Sequence, residues 1–235
     1  MAKRRPVGII TADGKRYPVK MLTPSATKTI LRPYSVELGH LAAAWNQLHH
    51  NLSSLFTLIL RSQNNDFSQA IWHATESDFT QRKMLRAIVE TDKRLLPLRR
   101  HRVLSAAQAE EVLWVLDQID KKLRHQRNNA LHAPLIIVTG VFDGAVRSWV
   151  EAHFNSLNPR AKPLRGKDLI QEFRDYTEHT GVLLRYTTQI WNALSFPEQI
   201  SWPDRPPLPQ AHKKRKSSRQ GTRKLPPHLR AAWRG

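Results

Sequence analysis

Four stretches of this chain repeat apolar residues at spacings of three and four, a period that commits most of its length to amphipathic helix. In the first, Leu38, Leu41, Trp45, Leu48, Leu52, Leu55, Phe56 and Ile59 mark one face of a helix expected over about 35–61, just after Pro33. The second, about 67–96, carries Ile71, Phe79, Leu85, Ile88 and Val89 and stops at Pro97. Ser77-Asp78 could cap a fresh helix within it. The third starts at the potential N-cap Ser105, with Glu110 and Glu111 near its beginning. Its stripe is Ala109, Val112, Leu113, Leu116, Ile119 and Leu123, and one further step of four reaches Arg127. Pro134 disfavours helix at Ala133, so His132 falls in the last turn. The fourth helix is expected over about 168–195, with Phe173, Tyr176, Leu183, Ile190 and Trp191 on its packed side.

Elsewhere the pattern changes. Val7, Ile9 and Ile10, the turn dipeptide Asp13-Gly14, then Tyr17, Val19 and Met21 read as a hairpin. Leu135–Val138, a turn between Gly140 and Gly144, and Val146–Val150 could form a second. Pro203, Pro206, Pro207 and Pro209 begin a stretch that cannot bury a core by itself. The expected fold class is therefore all-α: an antiparallel bundle of four to five helices, two small β-hairpin additions and a disordered basic C-terminal tail. The expected layout is an N-terminal hairpin or arm over 1–33, a helical domain over 34–196 with an extended insert at 135–165, and a Pro-rich, basic tail over 197–235.

Lys and Arg number 38 against 19 Asp and Glu, a net charge of +19. Such a field attracts polyanions, RNA above all in this reading, although the tail holds much of the excess. With no cysteine, disulfides, thiolate zinc sites and a cysteine nucleophile are excluded. No run approaches about 18 apolar residues, so no membrane span and no membrane partner are expected, and the composition suits the cytoplasm. Neither a P-loop nor a dinucleotide fingerprint is present, and no cofactor or metal site is expected.

The feature that bears on chemistry is Arg127-Asn128-Asn129-Ala130-Leu131-His132. Spacing alone means little, since Arg174 with His179 and Arg223 with His228 repeat it. The former is expected on a solvated helix face and the latter in the Pro-rich tail. Arg127 differs in its context: it is followed by Asn128, closes a strongly amphipathic helix and precedes a helix break.

That context resembles the HEPN superfamily, helical proteins whose ribonuclease members carry Arg, a polar residue and then His. Trp45-Asn46-Gln47-Leu48-His49, Ser77-Asp78 with Gln81-Arg82 and Met84-Leu85, and Gly166-Lys167-Asp168-Leu169 are similar to bacterial proteins of this helix layout. The resemblance implies a homodimer that cuts RNA without a metal ion, both copies contributing the motif. His132 would be the general base for the ribose 2′-OH. Arg127 would hold the phosphoryl oxygens, and Asn128, four residues before His132, would orient its ring. A helix C-terminus should favour the protonated imidazole. Five helical steps turn about 500°, which leaves Arg127 and His132 about 140° apart. Either the helix end unwinds or a second protomer completes the site. Two other readings stand beside this one: a non-catalytic RNA-binding protein of the same fold, and a subunit held by a partner or neutralising protein. As structural groups, Arg127 would pair with a buried carboxylate and His132 would cap the helix.

Further candidates surround the motif. His49 and His50 point apart on a helix and cannot chelate together; one of them, or Asn46, is expected to face the cleft. Asp78 and Arg82 form an i,i+4 pair, by default a surface ion pair, with Arg82 as a further cleft residue. Arg160, Lys162, Arg165 and Lys167 precede the fourth helix and suit either a phosphate at its N-terminus or plain surface charge. Lys213, Lys214, Arg215 and Lys216 belong to a tail that suits either a nucleic-acid arm or a solubilising segment. The tryptophans are expected to pack rather than stack on bases.

Overall fold

A computed structural model describes residues 8–10, 14–18, 22–60, 64–94, 103–142, 145–153 and 159–209. It is mostly helical. The chain divides into two compact units, Met1–Arg32 with Leu135–Glu151 and Gln210–Gly235, and Pro33–Pro134 with Ala152–Pro209.

In the first unit, β1 (Gly8–Ile10) and β2 (Arg16–Pro18) pair antiparallel, with Ile9 opposite Tyr17. Gly14 sits at φ +78°, a left-handed turn conformation that favours glycine. Both strands are shorter than the sequence suggested, and Val7, Val19 and Met21 lie outside the described residues. β3 (Leu135–Phe142) and β4 (Ala145–Ala152) form a second two-stranded sheet. Their two-residue connection admits antiparallel pairing alone. The hydroxyls of Thr139 and Ser148 meet across it at 3.0 Å.

The helices build the second unit, apart from the start of the first helix, which belongs to the other unit. α1 runs over Pro24–Leu60 and contains Pro33, which was expected to precede it. The true start is Thr23-Pro24: the Thr23 hydroxyl accepts from the Ala26 N–H at 3.2 Å, and proline suits the first helical position. Pro33 forgoes one helical hydrogen bond without ending the helix. The expected break separates α2 (Asn65–His73) from α3 (Asp78–Arg94). Asn64 caps α2, Ser77 accepts from the Thr80 N–H, and Gln81 bridges the break by donating to the carbonyls of Trp72 and Thr75.

α4 (Ala106–Gln118) opens with a capping box between Ser105 and Gln108. It passes without interruption into a π-helical turn, Ile119–Leu123, and then α5 (Arg124–His132). After a 3₁₀ turn at Lys162–Leu164, α6 spans Leu169–Ser195 behind its N-cap Asp168. One core unites these elements: Leu48, Leu52 and Phe56 from α1, Trp72 from α2, Leu85 and Val89 from α3, Leu116 and Ile119, and Leu183 and Ile190 from α6. No described helix is long and apolar enough to cross a membrane.

The start of the Pro-rich tail departs from expectation. Residues 197–209 are not a detached chain, because Trp202 and Leu208 pack against the core. Arg205 makes a forked contact to Glu111 at 2.7 and 3.0 Å and lies 4.7 Å from the centre of the Trp114 ring. Tyr186 donates to the same carboxylate at 2.8 Å. Lys213, Lys214, Arg215, Lys216, Arg223 and His228 lie outside the described residues.

Candidate functional site

The π-helical turn decides where the Arg-Asn-x-x-x-His segment points. Its wider winding closes with the Arg124 N–H donating to the Ile119 carbonyl, an i→i+5 bond that changes the phase of everything after it. Ile119 and Leu123 are buried, but the stripe then continues to Ala130 and leaves Arg127 half-buried at its edge. Among the described residues no carboxylate lies within ion-pair distance of Arg127, although Asp78 feels its charge. Its guanidinium lies 5.5 Å from the centre of the Trp45 ring, and its Nη1 donates to the Asn128 side-chain oxygen at 3.0 Å. The Asn128 side-chain oxygen thus serves the guanidinium.

His132 is exposed on the last turn of α5. The helix does not unwind before it; the extended backbone at Ala133 follows, as a residue preceding proline requires. Its pKa is lowered from the usual imidazole value by partial burial, then by the charges of Arg160 and Arg127. This is opposite in direction to the expected helix-stabilised imidazolium, with burial first and the two guanidinium charges after it. His132 is thus an accessible imidazole of lowered proton affinity.

Beneath Arg127 lies a buried polar cluster. Trp45 Nε1 donates to Asp78 Oδ2 at 2.9 Å, and His49 packs against the Trp45 ring at 5.0 Å. Arg82 is 1 % exposed, so it is no surface ion pair. Its Nε donates to Asp120 Oδ1 at 2.9 Å, its Nη1 faces His49 Nε2 at 3.0 Å, and Asp78 is left to Trp45. Arginine has no acceptor, so His49 Nε2 must accept and the ring proton sits on Nδ1. That assignment fits a pKa pushed down to about 4 by burial, with the charges of Arg82 and Arg127 reinforcing it and Asp78 opposing it. His49 and Arg82 thus share one cluster beside Arg127, whereas Asn46 stays exposed on α1 outside it.

The loop before α6 is occupied by the protein itself. Asp168 accepts from the N–H groups of Ile170 and Gln171, which fills the helix N-terminus proposed for phosphate. Lys167 is paired with Glu172 at 2.7 Å, and Lys162 is exposed. Of this group, Arg160 is the residue whose charge reaches the motif, through His132. Its neighbours Ala161 and Leu164 are buried, which anchors the loop. His179, expected on a solvated face, is 6 % exposed, and Arg174 pairs with Glu37 at 2.7 Å. Among the described residues no group of three or more His, Cys, Asp or Glu is placed to hold a metal ion.

Sequence reading missed Asp120 and Trp45 as polar partners. The signal for Asp120 was a carboxylate on the buried side of a helix; for Trp45, an indole N–H that must find an acceptor when buried. Comparison with family models, curated proteins and solved structures returned no match.

Proposed function

We propose that this protein is a metal-independent endoribonuclease of the HEPN type, acting at the C-terminal end of α5 as a homodimer. The observation that carries this reading is His132: exposed on the last turn of α5, the turn after Arg127, with a proton affinity lowered by partial burial and then by the charges of Arg160 and Arg127. An accessible imidazole in the field of permanent cations has what transphosphorylation needs, the Arg127 that faces each imidazole coming from the second copy. His132 removes the ribose 2′-OH proton as that oxygen attacks the adjacent phosphorus. Negative charge grows on the phosphoryl oxygens, where Arg127 and Arg160 stabilise it. The P–O5′ bond breaks, the leaving oxygen takes a proton from the imidazolium or water, and the products are a 2′,3′-cyclic phosphate and a 5′-hydroxyl. Because α5 is unbroken through His132, Arg127 and His132 diverge within one chain, which favours a second copy completing the site.

A specific observation favours the rival reading, an RNA-binding protein that does not cut. Arg127 is engaged by Asn128 and Trp45, as a structural arginine would be. The two readings separate in one experiment: wild type, His132→Ala and Arg127→Ala on mixed cellular RNA in EDTA, with product ends mapped. Cleavage to 2′,3′-cyclic phosphate ends that is lost in both variants is the expected result. Absence of cleavage together with salt-sensitive binding in all three proteins would support the rival.

A further inference from the structure

Phe79 was read as core from its helical spacing, yet it is 37 % exposed at the start of α3. Two cations attend its ring: Lys83 Nζ lies 4.5 Å and the Arg124 guanidinium 5.0 Å from the ring centre. Lys83 is one turn along α3, and Arg124 is the first residue of α5. Among the described residues neither has a carboxylate within ion-pair distance. The nearby acids are committed elsewhere, Asp120 to Arg82 and Asp78 to Trp45. α5 itself, Arg124–His132, holds no acidic residue. Arg124 and Arg127 are three residues apart and so neighbours along α5, and Arg124 to His132 spans roughly 12 Å of helix.

We infer that Phe79, Lys83 and Arg124 form a binding platform for single-stranded nucleic acid, one base stacking on Phe79 and the flanking phosphates meeting the two cations. An exposed aromatic ring between unneutralised cations is the arrangement that single strands use: the ring accepts any base, and the charges follow the backbone. Lys83, exposed on a flexible four-carbon stem, yields the ring face to a base and moves to a phosphate. Arg124 remains beside the ring and continues the positive track toward Arg127. A duplex keeps its bases stacked internally and cannot use the ring. An acidic protein would use the cations and have no need of the ring. The platform rests on the polynucleotide side of the proposed function and is independent of cleavage.

The test is anisotropy of a labelled single-stranded RNA 12-mer with the full chain in EDTA, over a series of salt concentrations. Phe79→Ala is expected to weaken binding about tenfold, and Phe79→Trp to retain it. Lys83→Gln with Arg124→Gln should weaken binding and flatten the logarithmic salt slope by about 1.4, at about 0.7 for each lost phosphate contact. A DNA 12-mer showing the same Phe79 dependence supports the platform as well, since every base has a stacking face. Equal binding by Phe79→Ala and wild type, equal affinity for the corresponding duplex, or full competition by polyglutamate would each overturn it. Cleavage is scored separately: Phe79-dependent binding with no His132-dependent product retires the nuclease and keeps the platform, and His132-dependent product without Phe79 dependence does the reverse.

Discussion

The long helix from Ala106 to His132 has two ends of opposite character. Around α4 the charges are matched: Glu111 receives Arg205 and Tyr186, and Glu110 pairs with Lys93. Past the π-helical turn the surface is basic, and Arg124, Arg127 and His132 have no carboxylate partners among the described residues. The matched end holds the fold; the unmatched end keeps cations available at some cost in repulsion. Arg82 lies between the two, its guanidinium held by Asp120 and His49.

That cluster is where mutation breaks this contrast with the largest effect. Arg82→Ala removes the buried guanidinium shared by Asp120 and His49 and should cost about 2–3 kcal/mol, read from urea unfolding, less than a fully buried pair because Asp120 is partly exposed and keeps Arg86 at 4.0 Å. A change under about 1 kcal/mol would mean that the cluster is hydrated rather than structural.

Acid comes next. His49 has a folded pKa of about 4 against an ordinary 6.5. Between those values the unfolded chain binds more protons, so stability falls as the pH drops through that window. This contribution is present in full above 6.5 and is lost by about 4. The difference amounts to roughly 3 kcal/mol. Unfolding midpoints at pH 7, 5.5 and 4 should show the decline, and His49→Gln should flatten it. An unchanged slope in that variant would assign the acid sensitivity to other groups.

At the matched end, Arg205→Ala removes an exposed forked pair and a ring contact, a loss of about 1 kcal/mol. Limited proteolysis should then cut within 197–209 at a higher rate. The smallest stability effect belongs to His132→Ala, within about 0.5 kcal/mol, because its side chain is exposed. A large loss of stability there would make the residue part of the scaffold and remove the contrast.

Much of the scaffold was legible in the sequence because helical spacing is a local property. The break before Asp78, the Ser105 cap and the ends of α5 and α6 follow from residues within four positions of one another. Misreadings arose where a distant partner decided. Pro33 looked like a boundary until Thr23-Pro24 supplied a better start. The Pro-rich segment looked unsupported because its partners, Glu111 and Trp114, lie about 90 residues away. His179 looked solvated because Arg174, Asp175 and Glu178 precede it within two turns.

The candidate site divides in the same way. Residue identity by itself determined that Arg127 is a permanent cation, that His132 can titrate near neutrality, and that the chain carries no thiol chemistry. Tertiary structure alone decided that Arg82 is buried and Phe79 exposed, although both occupy α3. It also decided that Asn128 serves Arg127, that Asp168 closes the N-terminus of α6, and that partial burial, with Arg160 and Arg127 after it, lowers the proton affinity of His132. The physical reason is range: periodicity and capping act over a turn of helix, whereas burial and Coulomb interaction depend on neighbours that folding brings from elsewhere in the chain.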